Sequence, residues 1–119
     1  MNQEDEIFQN YIVEMGERLH DLEEGLADLD QAYTPEIING LFRSVHTIKG
    51  GGSFFGLTGI QKLSHEFEDL LMQIREGNLQ FNKAMVPTFF AACDSLKDMH
   101  EAEDFGNSLD ISEVCQNLK

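Results

Sequence analysis

Seven apolar residues near the start of the chain, Phe8, Ile12, Met15, Leu19, Leu22, Leu26 and Leu29, follow one another at alternating steps of four and three. That spacing keeps all seven on one stripe of an α-helix and predicts a long amphipathic helix over roughly residues 4–32. A stripe of this length has to be covered by other elements, so it constrains the fold more than any other feature. Gly16 and Gly25 interrupt the pattern, each at a cost of about 1 kcal/mol relative to Ala. The stripe continues through both, which points to close approach of a neighbouring helix.

The remaining segments repeat the same period. Thr34-Pro35-Glu36 reads as the start of a second helix: Thr is a good N-cap, Pro suits the first helical position, and Glu opposes the positive end of the dipole. Its core face is Ile38, Leu41, Val45, Ile48 and Gly52, and its end is expected near Phe55-Gly56, beyond the run Gly50-Gly51-Gly52. Thr58, with Gln61 three residues on, is expected to cap a third helix through a capping box. Ile60, Leu63, Phe67, Leu70, Leu71 and Ile74 form its stripe, and Gly77 its stop. Arg75 stands in the last turn, where a cation is favourable. Asn82 is expected to cap a fourth helix bearing Val86, Phe89, Phe90, Cys93, Leu96, Met99 and His100, with Pro87 near its start. A short last helix is expected from Asp110, with Glu113 three residues on and a Leu109–Val114 staple. No segment alternates with the period of a strand, and the predicted connections are short. The expectation is an all-α fold: an antiparallel up-down four-helix bundle with an additional short C-terminal helix, residues 1–119 forming a single domain.

Composition narrows the function classes. A net charge of −14 repels phosphate backbones and anionic lipid, so neither nucleic acid nor a membrane is expected as a partner. No apolar run reaches the ~18 residues of a membrane span. Met1-Asn2-Gln3-Glu4-Asp5-Glu6 lacks the basic and apolar regions of a secretory signal, which predicts a cytoplasmic location. The two cysteines, Cys93 and Cys115, are too few for a disulfide framework or a Cys-based zinc site. Cys93 falls on a core position and reads as a small buried hydrophobe.

Of the four histidines, His20 and His100 have no obvious chemical neighbours and read as ordinary surface or rim residues. His46 differs. The core face of the second helix centres roughly 120° away from it, so the imidazole belongs on the accessible rim. Phe42 and Arg43 lie one turn before it, Lys49 and Gly50 one turn after. A glycine at the fourth position onward leaves space above the ring, and Lys49 offers a positive charge that suits a developing anion. On the third helix Gln61, Ser64, His65, Glu68 and Met72 lie along the flank of the stripe. With the two helices antiparallel, Glu68 is able to accept a hydrogen bond from one ring N–H. That would fix the tautomer and leave the other nitrogen as a nucleophile. These residues alone leave three readings open: a nucleophilic histidine, a helical scaffold in which His46 has no chemistry, and a metal-binding bundle using His46, His65, Glu66 and Glu68. The last lacks the paired Glu-x-x-His motifs of ferritin-like bundles.

The stretch His46-Thr-Ile-Lys49-Gly50-Gly-Gly-Ser-Phe-Phe-Gly56 resembles the H-x-x-K-G-x-x-x-x-x-G signature of histidine phosphotransfer (HPt) domains. Leu41-Phe42-Arg43-Ser-Val-His46, followed by His65 and Glu68, is most similar to the N-terminal phosphotransfer domain of chemotaxis kinases of the CheA type. The resemblance implies that His46 receives the γ-phosphoryl group of ATP from a separate kinase domain and passes it to an aspartate of a CheY- or CheB-type response regulator receiver domain. It further implies that Glu68 orients the ring, with Lys49 and His65 in the same hydrogen-bonding cluster. No cofactor is then expected in this domain, and there is no P-loop, since the glycines follow Lys49 and do not precede G-K-[ST]. The domain would be substrate and relay, not an enzyme alone, and the expected setting is the N-terminal part of a longer histidine kinase, with a freestanding HPt protein as the alternative.

Overall fold

The computed structural model describes residues 3–102 and 112–118. Among the described residues five α-helices follow in order: α1 Gln3–Gln31, α2 Pro35–Phe54, α3 Thr58–Arg75, α4 Val86–Glu101 and α5 Ser112–Leu118, with a 3₁₀ turn at Lys83–Met85 leading into α4. No strand occurs among the described residues. The Leu109–Val114 staple and a start at Asp110 fall, at Leu109 and Asp110, outside the described residues.

Pairing distances give the topology. Tyr11 meets Gly51 while Gly25 meets Leu41, so α1 and α2 run in opposite directions. Gly52 meets Ile60 and Gln61 while His46 meets Glu68, so α2 and α3 do too. His100 meets Ile12 and Lys97 meets Glu23, which sets α4 antiparallel to α1 and hence to α3. The four long helices close into a ring, and α5 lies against α3 and α4. This is the up-down bundle that the apolar periods require.

The core forms where the stripes meet. Met15, Leu22, Leu26, Ile38, Leu41, Ile48, Ile60, Leu63, Phe67, Leu71 and Phe89 are fully buried. Each large side chain removed from water in this way contributes about 1.5–3 kcal/mol. Phe67 and Phe89 join α3 to α4 with ring centroids 5.6 Å apart. Cys93 is buried as expected, and burial pushes its thiol up to about 12, with Glu23 and Asp94 adding to the shift. A thiol so protonated is a packing group.

Three local expectations are corrected. Phe8 and Ile12 are only half-buried at the N-terminal end of α1; Tyr11 enters the core there instead. Its ring covers α2 and its hydroxyl donates to the Ile48 carbonyl at 2.8 Å. A Cβ on Gly51 would lie 1.9 Å from the Tyr11 ring and one on Gly52 3.1 Å from Ile60, so these two glycines inside α2 are packing requirements and not a helix end. At α3, Thr58 is the first helical residue and Leu57 the cap, without a side-chain cap bond. Leu57 is buried and its N–H donates to the Gly52 carbonyl at 2.8 Å; anchoring Leu57 in the core moves the cap one residue ahead of Thr58. At α4, Asn82 caps the 3₁₀ turn, its side chain accepting from the Ala84 N–H at 2.7 Å. The α-helix begins only at Val86, with Pro87 in its first turn.

Other signals held. Thr34 caps α2 by accepting from the Ile37 N–H at 3.2 Å. Gly56 and Gly77 close α2 and α3 with φ of 70° and 81°, a left-handed conformation that a Cβ disfavours. Gly16 and Gly25 are points of close approach, to His100 and Leu41 respectively.

Candidate functional site

The second and third helices form the most extensive pairing in the bundle, and their contact ends on one side at a buried carboxylate. Glu68 leaves only 6% of its side chain exposed. It was expected on the flank of α3, clear of the core; instead it belongs to the buried face, as does Ser64, whose hydroxyl has no hydrogen-bond partner among the described residues. The cause is the close α2–α3 packing around Gly52, which widens the covered face of α3 beyond its apolar stripe.

Two cationic or potentially cationic side chains from α2 converge on that carboxylate. His46 Nδ1 lies 2.5 Å from Glu68 Oε2, and Lys49 Nζ donates to Glu68 Oε1 at 2.6 Å. One residue three positions after the other on a helix presents both groups to the same side. Burial alone pushes the Glu68 carboxyl up, but the hydrogen bonds and charges of Lys49 and His46 outweigh it and hold the group below its ordinary value. Glu68 is therefore ionised at neutral pH and has no proton to give, so the proton in the short contact is on His46 Nδ1. Nε2 is left as the ring nitrogen that Glu68 does not touch. The His46 side chain is 62% exposed. A buried anion thus orders an exposed imidazole, fixing its tautomer while leaving it open to an incoming group.

The surroundings are aromatic on one side and open on the other. The Phe42 ring lies nearly parallel to the imidazole, at 10° with centroids 6.0 Å apart. Arg75, at the end of α3, places its guanidinium carbon 4.1 Å from the Phe42 centroid. A Cβ on Gly50 would meet nothing within 4 Å, so the space above the ring is open as the glycine at that position suggested.

His65 stands apart from this group. It is exposed on α3, and among the described residues no hydrogen bond or ion pair joins it to His46, Lys49 or Glu68. Gln61 bonds Ser53 across the helix pair at 3.4 Å. Arg75 was legible in the sequence only as a last-turn cation. Its position seven residues after Glu68, two turns along the same face of α3, is the signal that could have tied it to the site. Among the described residues no group of three or more His, Cys, Asp or Glu side chains is placed to hold a metal ion. No described helix is long and apolar enough to cross a membrane.

Known proteins share this arrangement of helices and sequence. Over 115 residues the chain is 36% identical to the chemotaxis protein CheA of Rhizobium meliloti, and over 118 residues 34% identical to that of Salmonella typhimurium, covering 96% of this chain in each case. It spans only 15% and 18% of those relatives. A solved structure, the phosphorylated P1 domain of CheA3 in complex with CheY6 from R. sphaeroides, superposes with a TM-score of 0.84 at 26% identity, covering 96% of this chain and 93% of that one. A family model, the Hpt domain, matches residues 6–104, and with it the bundle and the His46 stretch: the chain belongs to the Hpt domain family and resembles the phosphotransfer domain of CheA.

Proposed function

We propose that this domain is a phosphoryl carrier in chemotaxis signalling, with His46 as the phosphoacceptor. One observation carries the reading above the rest: an exposed imidazole whose Nδ1 is tied to a buried, ionised carboxylate. In the first step the Nε2 lone pair attacks the γ-phosphorus of ATP, the bond to the ADP oxygen breaks, and the Nδ1 proton stays in its bond to Glu68. In the second, an aspartate oxygen of a response regulator attacks the same phosphorus. The P–N bond then breaks, and its electron pair returns to Nε2. Glu68 orients the ring and offsets the positive charge it gains on phosphorylation. Lys49 keeps Glu68 ionised and places a cation one turn from His46. His65, exposed three residues before Glu68 and unbonded to the other three residues, is kept in the cluster on the family resemblance alone.

The ATP would be held by a separate kinase domain, and no cofactor by this one. The partners are that ATP-binding domain and receiver domains of the CheY or CheB type; the similar P1 domain of CheA3 is bound to CheY6. The span of 15–18% of the relatives supports a place for residues 1–119 as one domain of a longer CheA-type histidine kinase.

The test is incubation with ATP and a CheA kinase core. The native chain is expected to acquire a label that is stable to alkali, labile to acid and absent in His46→Gln. A His46→Gln variant labelled as fast as the native chain would sink the assignment.

A further inference from the structure

We propose that Phe42, braced by Arg75, is a positioning residue that fixes the plane of the His46 ring; this rests on the reading of His46 as the phosphoacceptor. The need for such a residue follows from exposure. With 62% of the side chain open, most of the imidazole touches nothing, and the bond from Nδ1 to Glu68 fixes one atom only. The ring remains free to turn about that contact, and an exposed side chain changes rotamer on the ps–ns scale. The Nε2 lone pair lies in the ring plane, so each such turn swings the nucleophile away from the line of attack. Loss of that alignment removes much of the advantage of a positioned reactant.

Phe42 supplies the second restraint. It stands one turn before His46 on α2, and its ring is stacked on the imidazole with an offset, planes 10° apart and centroids 6.0 Å apart, within the range of favourable aromatic pairs. Phe42 is itself half-buried against the core, which limits its own movement. Arg75 closes the remaining freedom from α3, with its guanidinium carbon 4.1 Å from the Phe42 centroid, well inside the reach of a cation–π contact. The third helix therefore holds the second at two points. Glu68 fixes an atom of His46, and Arg75, two turns further on, fixes the ring that sets its plane. The reversed order of the two pairs, Phe42 then His46 against Glu68 then Arg75, is what antiparallel helices produce. When Nε2 is phosphorylated with Nδ1 still protonated, the imidazole becomes cationic, and the Phe42 face favours that charge as well.

Phosphoramidate tests the inference without any partner protein: Nε2 forms the bond to phosphorus and ammonia leaves. Phe42→Leu keeps apolar bulk and removes the ring. It is expected to label roughly tenfold more slowly, with the NOEs from His46 Hδ2 to its own Hα and Hβ, which report the turn of the ring about Cβ–Cγ, shifted toward the rotational average and helicity unchanged. Phe42→Tyr is expected to restore the rate to within about twofold. Arg75→Gln, an exposed change that carries the test if Phe42→Leu fails to fold, is expected to slow labelling about threefold, with Arg75→Lys recovering part of the rate. Native rates in both Phe42→Leu and Arg75→Gln overturn the inference, as does a slower rate with unchanged NOEs from His46 Hδ2 to its own Hα and Hβ. If His46→Gln is unlabelled while Phe42→Leu labels normally, only this inference falls. If the native chain takes no label, or His46→Gln labels equally, the phosphoacceptor reading falls and this one with it.

Discussion

The bundle carries a histidine, a lysine and glutamates on two of its faces, and they do different things. On the α2–α3 face, His46 and Lys49 converge on one buried carboxylate, Glu68. On the α1–α4 face, His20 pairs with Glu24 and Lys97 with Glu23, each pair separate and exposed. His100 there is half-buried beside Gly16, and its Nε2 donates to the Ile12 carbonyl at 2.9 Å. A carbonyl has no proton to give, so His100 commits Nε2 to the backbone; His46 commits Nδ1 to a carboxylate and keeps Nε2. The lesson is that the residue types matter less than where the anion sits. A buried carboxylate, shielded from water and salt, orients its partners strongly, whereas exposed pairs are screened.

The sharpest way to break this comparison is to exchange the expected effects of the two histidines. His46→Gln is expected to abolish phosphoryl labelling from ATP and a kinase core, with the melting temperature nearly unchanged, because the exposed ring contributes little packing. Next in size, Glu68→Ala is expected to slow labelling of His46 roughly ten- to a hundredfold. Its burial predicts a stability cost of about 1–2 kcal/mol through the lost charge-assisted bonds, with helicity retained; labelling at the native rate would show that something other than Glu68 orients the ring. His100→Ala should do the opposite of His46→Gln: a loss of about 1–2 kcal/mol in urea unfolding, from the broken bond to Ile12 and the gap left beside Gly16, and a native labelling rate.

Acid sharpens the contrast further. The folded Glu68 carboxyl is held below its ordinary value of 4.5, so the stability it adds is complete above that value. It is lost as pH falls below 4.5 and through the depressed folded value. Unfolding measured between neutral pH and pH 2 is expected to show a shallower acid loss in Glu68→Gln than in the native chain. An identical acid slope in the two proteins would mean that the carboxylate is not stabilised by its α2 partners. The smallest effect belongs to Lys97→Ala. Lys97 and Glu23 share an exposed ion pair, and neither labelling nor melting temperature is expected to change measurably.

Much of the architecture is legible in the sequence. The stripe from Phe8 to Leu29, the Thr34-Pro35 start and the Gly77 stop all express short-range physics, namely helical period, capping and backbone freedom. The stripe of apolar positions does not mark Tyr11, because its hydroxyl makes it polar until that group finds the Ile48 carbonyl, which lets its ring take the same face one position before Ile12. It misplaced the caps of α3 and α4 because the competing partners, the buried Leu57 and the 3₁₀ turn after Asn82, are set by packing. In the site, His46, Lys49 and Glu68 could be named from spacing and resemblance. For Arg75 only its spacing of seven residues from Glu68 pointed to the site; its stack on Phe42 forms when α2 and α3 pack, and no motif marks that pair.

By itself the sequence determined that this chain would be a helical bundle and that His46 would stand on its rim, since both follow from a period of 3.6 residues and the side on which apolar groups fall. Only the tertiary structure decided that Glu68 is buried. The glycines of α2 let α1 and α3 approach closely enough to cover a polar flank along with the stripe. That closeness turns a carboxylate that could have been a solvated side chain into a dry, ionised anchor, and so settles which nitrogen of His46 holds the proton and which remains open.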